Sequence, residues 1–118
     1  MSRIKIWNKV PDRSTLHVRV EGGTGTAQGI LTVSDDTARD LNDEALRTGT
    51  TIQLRAARKY RLLLALKFAK SSTMTVKARI EKPGGEQHGK LFEEPVAGTP
   101  GEVKAVEIKA FMLKAEES

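Results

Sequence analysis

Two neighbouring stretches of this chain alternate apolar and polar residues with period two, and that pattern constrains the fold more than any other feature. In residues 60–68 the even positions are Tyr60, Leu62, Leu64, Leu66 and Phe68, while the odd ones include Arg61 and Lys67. In residues 74–81 the even positions are Met74, Val76, Ala78 and Ile80, and the odd ones are Thr75, Lys77, Arg79 and Glu81. Successive side chains of a strand point to opposite faces, so each stretch predicts a strand with one buried and one solvated face. Their closeness in sequence predicts a β-hairpin whose outer face is basic. Burying both even faces requires paired positions to have an even sum. Pairing Ala69 with Thr73 meets this condition and sets Arg61 opposite Glu81 and Lys67 opposite Thr75. The next such register puts Lys67 against Lys77, and like charges directly opposite each other are disfavoured.

The same alternation recurs elsewhere. Leu16, Val18 and Val20 are interleaved with His17 and Arg19, and Ile52 and Leu54 with Gln53 and Arg55. Strands are predicted at 3–8, 15–21, 29–34, 51–56, 60–69, 73–82 and 103–114, with a weaker one at 90–96. Turn chemistry separates them: Pro11-Asp12, Glu21-Gly22-Gly23-Thr24-Gly25, Lys82-Pro83-Gly84-Gly85 and Gly98-Thr99-Pro100-Gly101. This rhythm of short strands and turns predicts an all-β fold, an antiparallel β-sandwich of jelly-roll or immunoglobulin-like type. The run from Tyr60 to Gly85 resembles the long hairpin of such modules, a likeness of architecture that implies no activity. In the last strand Val106, Ile108, Ala110 and Met112 share one face, but Val103, Ala105, Phe111 and Leu113 make the other partly apolar. That strand is either central or meets a partner.

One segment departs from the strand pattern. Residues 35–47 begin with Ser34 or Asp35 as N-cap, crowd acids into the first turn, place Ala38, Leu41 and Ala45 on one face and end at Thr48-Gly49. This predicts one short acidic helix carrying Asp36, Asp40, Asp43 and Glu44.

A chain of 118 residues is sized for a single domain, here 1–118. Without cysteine, neither a disulfide nor a thiolate metal site is available. The N-terminal residues lack the continuous apolar run of a signal peptide, and the longest apolar stretch, 62–66, is far below the roughly 20 residues a spanning helix needs. The expectation is a cytoplasmic protein with no membrane insertion. The Met1 start and the charged end, Lys114-Ala115-Glu116-Glu117-Ser118, fit a complete small protein.

Charge is unevenly distributed. Residues 55–82 hold nine Lys/Arg against Glu81 alone, and residues 35–46 hold Asp35, Asp36, Asp40, Asp43 and Glu44 against Arg39. Blocks of opposite sign attract within a molecule or between copies.

Motifs that would carry chemistry are weak. Gly23-Thr24-Gly25-Thr26-Ala27-Gln28-Gly29 looks like a phosphate-binding loop, but it leads into the strand-like Ile30-Leu31-Thr32-Val33 instead of a helix and has no lysine, so it reads as a hairpin loop. The acidic segment has helical spacing and lacks the bend glycine of a calcium loop. His17 and His88 have no partners with which to form a catalytic or metal constellation. No catalytic residues, metal or cofactor are therefore assigned, and the chain reads as a non-enzyme.

Two functional readings remain. The first is a non-catalytic interaction or assembly protein, self-associating or binding a protein partner, with Phe111 and Leu113 as apolar contacts and the basic face of Arg61, Lys67, Lys77 and Arg79 for steering. If that assembly is electrostatic, charge reversal at Asp40 and Asp43 should weaken it. The second is a ligand-binding module for a carbohydrate or a polyanion such as nucleic acid or an acidic polysaccharide. For a sugar the platform would be Trp7, which an odd position in the first strand places outward. For a polyanion the basic face would bind, with strong salt dependence.

Overall fold

The structure, a computed structural model, describes residues 3–34 and 36–113. Along the chain run β1 (Arg3–Val10), β2 (Thr15–Glu21), β3 (Gly25–Val33), β4 (Asp36–Leu41), α1 (Asp43–Thr48), β5 (Thr50–Gln53), β6 (Lys59–Phe68), β7 (Ser72–Glu81), β8 (Gln87–Gly98) and β9 (Val103–Met112). They form an all-β sandwich of two sheets, one of five strands in the order β1-β9-β6-β3-β4 and one of four in the order β5-β2-β7-β8. Pairing is antiparallel except between β1 and β9, which run parallel. Asp35 as a helix cap, and Lys114 with the chain end, lie outside the described residues.

The two most regular strands alternate as predicted but do not form a hairpin. β6 pairs with β3 and β9, and β7 pairs with β2 and β8, so the two belong to opposite sheets. Leu62, Leu64, Leu66 and Phe68 line the core from one sheet, and Met74, Val76, Ala78 and Ile80 from the other, none more than 1% exposed. Period two requires only that one face of each strand be buried. Crossing the core meets that requirement as well as lying side by side.

The predicted helix is shortened to its second half. Its first half is β4, an edge strand paired antiparallel with β3. Ile30, Leu31, Thr32 and Val33 present a strand edge, and pairing to it overrides the weak β-propensity of the acidic segment. Ser34 turns the chain at φ 50°. Asn42 caps α1 by accepting from the Ala45 N–H at 2.8 Å, and Gly49 ends it at φ 111°, donating to the Ala45 carbonyl. The glycine-rich loop is likewise shorter than expected, because β3 begins at Gly25.

Side chains close both flanks of the sandwich. On the β4 flank, β3 outruns its partner, so the Ala27 N–H has no strand to bond and donates instead to Asp43 Oδ1 at 2.8 Å. Arg47 holds that carboxylate at 3.3 Å and donates to the Gly22 carbonyl, while Leu46 fills the core with no exposed surface. Asp43→Ala removes the acceptor from a strand amide and the partner of a guanidinium. The expected loss is about 1.5–3 kcal/mol, the range for a hydrogen bond to a charged group, read as a lower urea midpoint with unchanged slope. A midpoint equal to that of the unsubstituted protein would contradict this role.

On the β1 flank, Arg3 Nε meets Glu94 Oε1 at 2.7 Å and the Asn8 carbonyl meets His88 Nε2 at 2.9 Å, joining β1 to β8 across the sheets. Trp7 lies between these contacts and is 3% exposed. Gly89, at φ 70°, lets the indole approach, since a Cβ there would stand 3.1 Å from Trp7 Cδ1.

Candidate functional site

The two outer faces of the sandwich differ in chemistry. On the five-stranded sheet, pairing register aligns Ile4, Glu107, Leu63, Ile30 and Asp40 in one row across all five strands, and Ile6, Lys109, Arg61, Thr32 and Thr37 in the next. Ala65 and Ala105 lie opposite each other further along, as do Lys67 and Val103. Among the described residues six large hydrophobics are exposed: Ile4, Ile6, Ile30, Leu63, Leu91 and Val103. All but Leu91 lie on this one face, so the exposed apolar surface is concentrated.

The charges inside that patch are already matched. Arg61 Nε donates to Glu107 Oε2 at 2.6 Å, Lys109 Nζ lies 3.5 Å from the same carboxylate, and the Glu107 side chain is only 12% exposed. The Arg61 hydrogen bond, followed by the charges of Arg61 and Lys109, holds the Glu107 carboxyl below its ordinary value against the opposing effect of burial. Burying this cluster further leaves no carboxylate without a cation, the condition under which a desolvated pair is tolerated.

The outer face of the four-stranded sheet is polar. Lys77 lies 2.8 Å from Glu21 and 3.8 Å from Glu93, Arg19 lies 3.4 Å from Glu21, and Arg79 lies 3.5 Å from Glu81.

This arrangement corrects several sequence-based expectations. Arg61, Lys67, Lys77 and Arg79 do not share a face. Arg61 and Lys67 point out from the five-stranded sheet, Lys77 and Arg79 from the other, because β6 and β7 lie in different layers. Arg61 stands opposite Lys109 instead of Glu81, and Lys67 opposite Val103 instead of Thr75. Trp7 faces inward, and Ile4 and Ile6 face outward. Burying the indole at the β1 flank decides the orientation of a strand with apolar residues on both sides. Asp36 and Asp40 are on β4, and only Asp43 and Glu44 are on the helix. Asp43 is committed to Ala27 and Arg47, so its charge reversal would test the fold before it tested assembly.

Phe111 is half-buried on the outer face opposite Lys59, and Leu113 is half-buried beyond β9, its backbone tied to Val10 and Ala57. The last strand is interior to its sheet, one of the two alternatives its double apolar character left open. Sequence reasoning missed Ile4, Ile6, Ile30 and Leu63. A signal for Leu63 was present, since Leu63 and Ala65 occupy odd positions of β6 where polar residues were expected.

Three carboxylates are held below their ordinary value near 4.5: Glu107 as above, Glu21 by its hydrogen bond from Lys77, and Glu102, at about 2, by hydrogen bonds from Thr99 and then Lys104. A lowered folded-state value means the unfolded chain takes up protons first. The stabilisation is thus complete above about pH 4.5 and lost as pH falls towards 2. The melting temperature should be level from pH 7 to 5 and then decline steadily. A curve that stays level down to pH 2.5 would contradict this.

Among the described residues no group of three or more His, Asp or Glu is placed to hold a metal ion, and no helix is long and apolar enough to cross a membrane. Fold and surface together define a two-sheet β-sandwich in which five of the six exposed large hydrophobics among the described residues share one outer face with the Arg61–Glu107–Lys109 ion pairs, and the other outer face is ion-paired. No protein-family model, curated protein or solved structure matches the chain.

Proposed function

We propose that this is a non-catalytic assembly protein that associates with a second copy of itself through the outer face of the five-stranded sheet. The observation that carries the reading is the gathering of five of the six exposed large hydrophobics on that face. Exposed hydrophobics gathered on one face mark association surfaces, and here Glu107 and Lys109 on β9 lie between Ile4 and Ile6 on one side and Leu63 and Ile30 on the other. Five strands at about 4.8 Å spacing, over some eight residues at about 3.3 Å each, span roughly 600 Å² in projection, more once side-chain relief is counted. That is close to the ~800 Å² per partner of a standard interface. The occupant is a second copy because the face complements itself. Ile4, Ile6, Ile30, Leu63 and Val103 supply the apolar contact as one sheet stacks on another, the internal Arg61–Glu107–Lys109 cluster adds no unpaired carboxylate, and the rim carries Asp40 on the edge strand β4 with Lys59 and Lys67 near the two ends of the central strand β6.

The alternative reading, a carbohydrate or polyanion module, has less support. Its sugar platform, Trp7, is buried, and its four basic residues are divided between two faces. Light scattering after size exclusion, at low and high salt, tests the proposal. A dimer at both salt concentrations supports an apolar interface, and a monomer at both overturns it.

A further inference from the structure

One end of the sandwich gathers cations that the described residues do not neutralise. The β1–β2 turn, 11–14, and the β5–β6 turn, 54–58, cross there and are tied together. The Arg13 N–H donates to the Leu54 carbonyl at 3.0 Å, the Leu54 N–H to the Ser14 carbonyl at 2.8 Å and the Ala56 N–H to Asp12 Oδ1 at 2.7 Å. The Ala57 N–H reaches the Leu113 carbonyl at 3.4 Å, and the Leu113 N–H the Val10 carbonyl at 2.9 Å, which brings in the neighbouring Lys9. Lys9, Arg13, Arg55, Arg58 and Lys59 are all exposed at this end. None of the five takes part in an ion pair among the described residues. The described acids beside them are Asp12, committed to Ala56, and Asp36, exposed at the start of β4. Lys82 and Glu86 in the adjoining β7–β8 turn offset each other at 3.8 Å. Five cations against two carboxylates leave three positive charges.

The backbone at this end is held where L side chains seldom go. Among the described residues the non-glycine positions with positive φ are Lys9, Arg13, Ser34 and Ala57, at 52°, 66°, 50° and 64°. All four lie here, Ser34 through its N–H bond to the Lys59 carbonyl at 2.8 Å. Glycine would adopt this conformation without the steric cost. At Lys9 and Arg13 the chain instead keeps two long cationic side chains, and strain of this kind concentrates at functional sites.

We propose that this tip binds a nucleic acid duplex through its phosphates, without reading sequence. Three of the five cations are arginines, whose guanidinium groups match phosphate oxygens in paired hydrogen bonds. The short axes of the molecule are 28 and 25 Å. Over about 25 Å a duplex presents roughly 15 phosphates in a fixed array, which turns held by hydrogen bonds can meet without ordering a flexible chain. A single strand fits less well, because its readers stack bases on exposed aromatic rings. Tyr60, the aromatic beside these turns, is 5% exposed, and its hydroxyl accepts the Arg55 N–H at 2.9 Å. A membrane surface also fits less well, since none of the exposed large hydrophobics lies on these turns. The site does not depend on assembly: it lies at the end of the sandwich, and of its cations only Lys59 also stands on the rim of the assembly face.

The test is fluorescence anisotropy of a short labelled DNA duplex, titrated with the protein at several salt concentrations. The expected result is saturable binding whose log Kd rises with log salt at a slope of about 4, from roughly five phosphate contacts. Arg55→Gln combined with Arg58→Gln should weaken binding at least tenfold and lower that slope by about 2. Arg13→Gly should also weaken binding yet leave the melting temperature equal or higher, since glycine relaxes the left-handed backbone, so the loss is not one of folding. Lys67→Gln combined with Lys70→Gln removes the same charge from the opposite end of β6 and should leave the affinity within about twofold, as long as the contacts are confined to the tip. No saturable binding, or equal weakening by the two double variants, would overturn the site, the latter reducing it to net charge. A single strand of the same length bound as tightly would overturn the duplex. Heparin displacing the protein from the duplex at a lower concentration of charge than unlabelled duplex does would replace nucleic acid with an acidic polysaccharide.

Discussion

Replacing Gly98 with valine should lower the stability of this protein by about 3 kcal/mol or more, the upper end for overpacking a core. Gly98 closes β8, paired with Ser72 at the start of β7, and it is buried against the Phe68 ring. A Cβ at this position would stand only 2.5 Å from the ring Cγ, where real contacts begin beyond 3.0 Å. The ring cannot yield, because Phe68 is 1% exposed and its backbone is fixed on both sides, the N–H to the Glu102 carbonyl at 3.0 Å and the carbonyl to the Gly101 N–H at 2.9 Å. For a domain of this size each kcal/mol is worth roughly 4 °C, so the melting temperature should drop by about 12 °C. Alanine should produce a smaller loss of the same sign. Phe68→Leu in the alanine background should restore part of that loss, because the smaller side chain yields space to the new methyl, a coupling a double-mutant cycle reads directly. Strict additivity of the two substitutions would mean the clash has been misplaced.

Gly98 also marks where the sequence stops being informative. Its neighbours Thr99-Pro100-Gly101 identify a turn, and the glycine reads as part of it. Nothing nearby says that the space it leaves is filled by a phenylalanine thirty positions earlier. The same limit explains the larger error at β6 and β7. Alternation reports which side of a strand is dry, a one-dimensional property that the residues carry themselves. Which strand lies beside it depends on the whole set of pairings, and residues 60–68 and 74–81 would look the same as a hairpin or as opposite walls of a core. Trp7 shows the limit at a single strand, where Ile4 and Ile6 on one side compete with Trp7 on the other. Only the β8 bulge at Gly89, some eighty residues away, makes room for the indole. At 36–41, local acidity favoured a helix start until an unpaired edge of β3 claimed the segment. The fold class, by contrast, needed only the periods and the turns. The candidate surface was half legible, since Leu63, Ala65, Val103 and Ala105 break the polar expectation in sequence, whereas their adjacency exists only once β9 lies beside β6.

That adjacency makes Leu63→Lys the most damaging surface substitution for assembly. Leu63 is at the centre of the row from Ile4 to Asp40, opposite Ile30 on β3 and Glu107 on β9, and its own strand is the middle one of five. In the monomer it is 37% exposed, so a lysine there reaches water and the fold should keep its melting temperature within a few degrees. In a face-to-face dimer the ammonium would enter a dry interface. Glu107, the neighbouring carboxylate, is already shared by Arg61 and Lys109. An uncompensated buried charge costs about 3–5 kcal/mol, and because a two-fold interface repeats the substitution the dissociation constant should rise by at least a hundredfold. Light scattering should then report a monomer at both low and high salt. Asp40→Lys provides the contrast: at the exposed end of the same row it should alter assembly at low salt and have little effect at high salt, where charges on the rim are screened. If Leu63→Lys leaves the mass unchanged while Asp40→Lys abolishes the dimer, the copies associate through their charged edges instead of their apolar faces, and the five exposed hydrophobics do not form the contact.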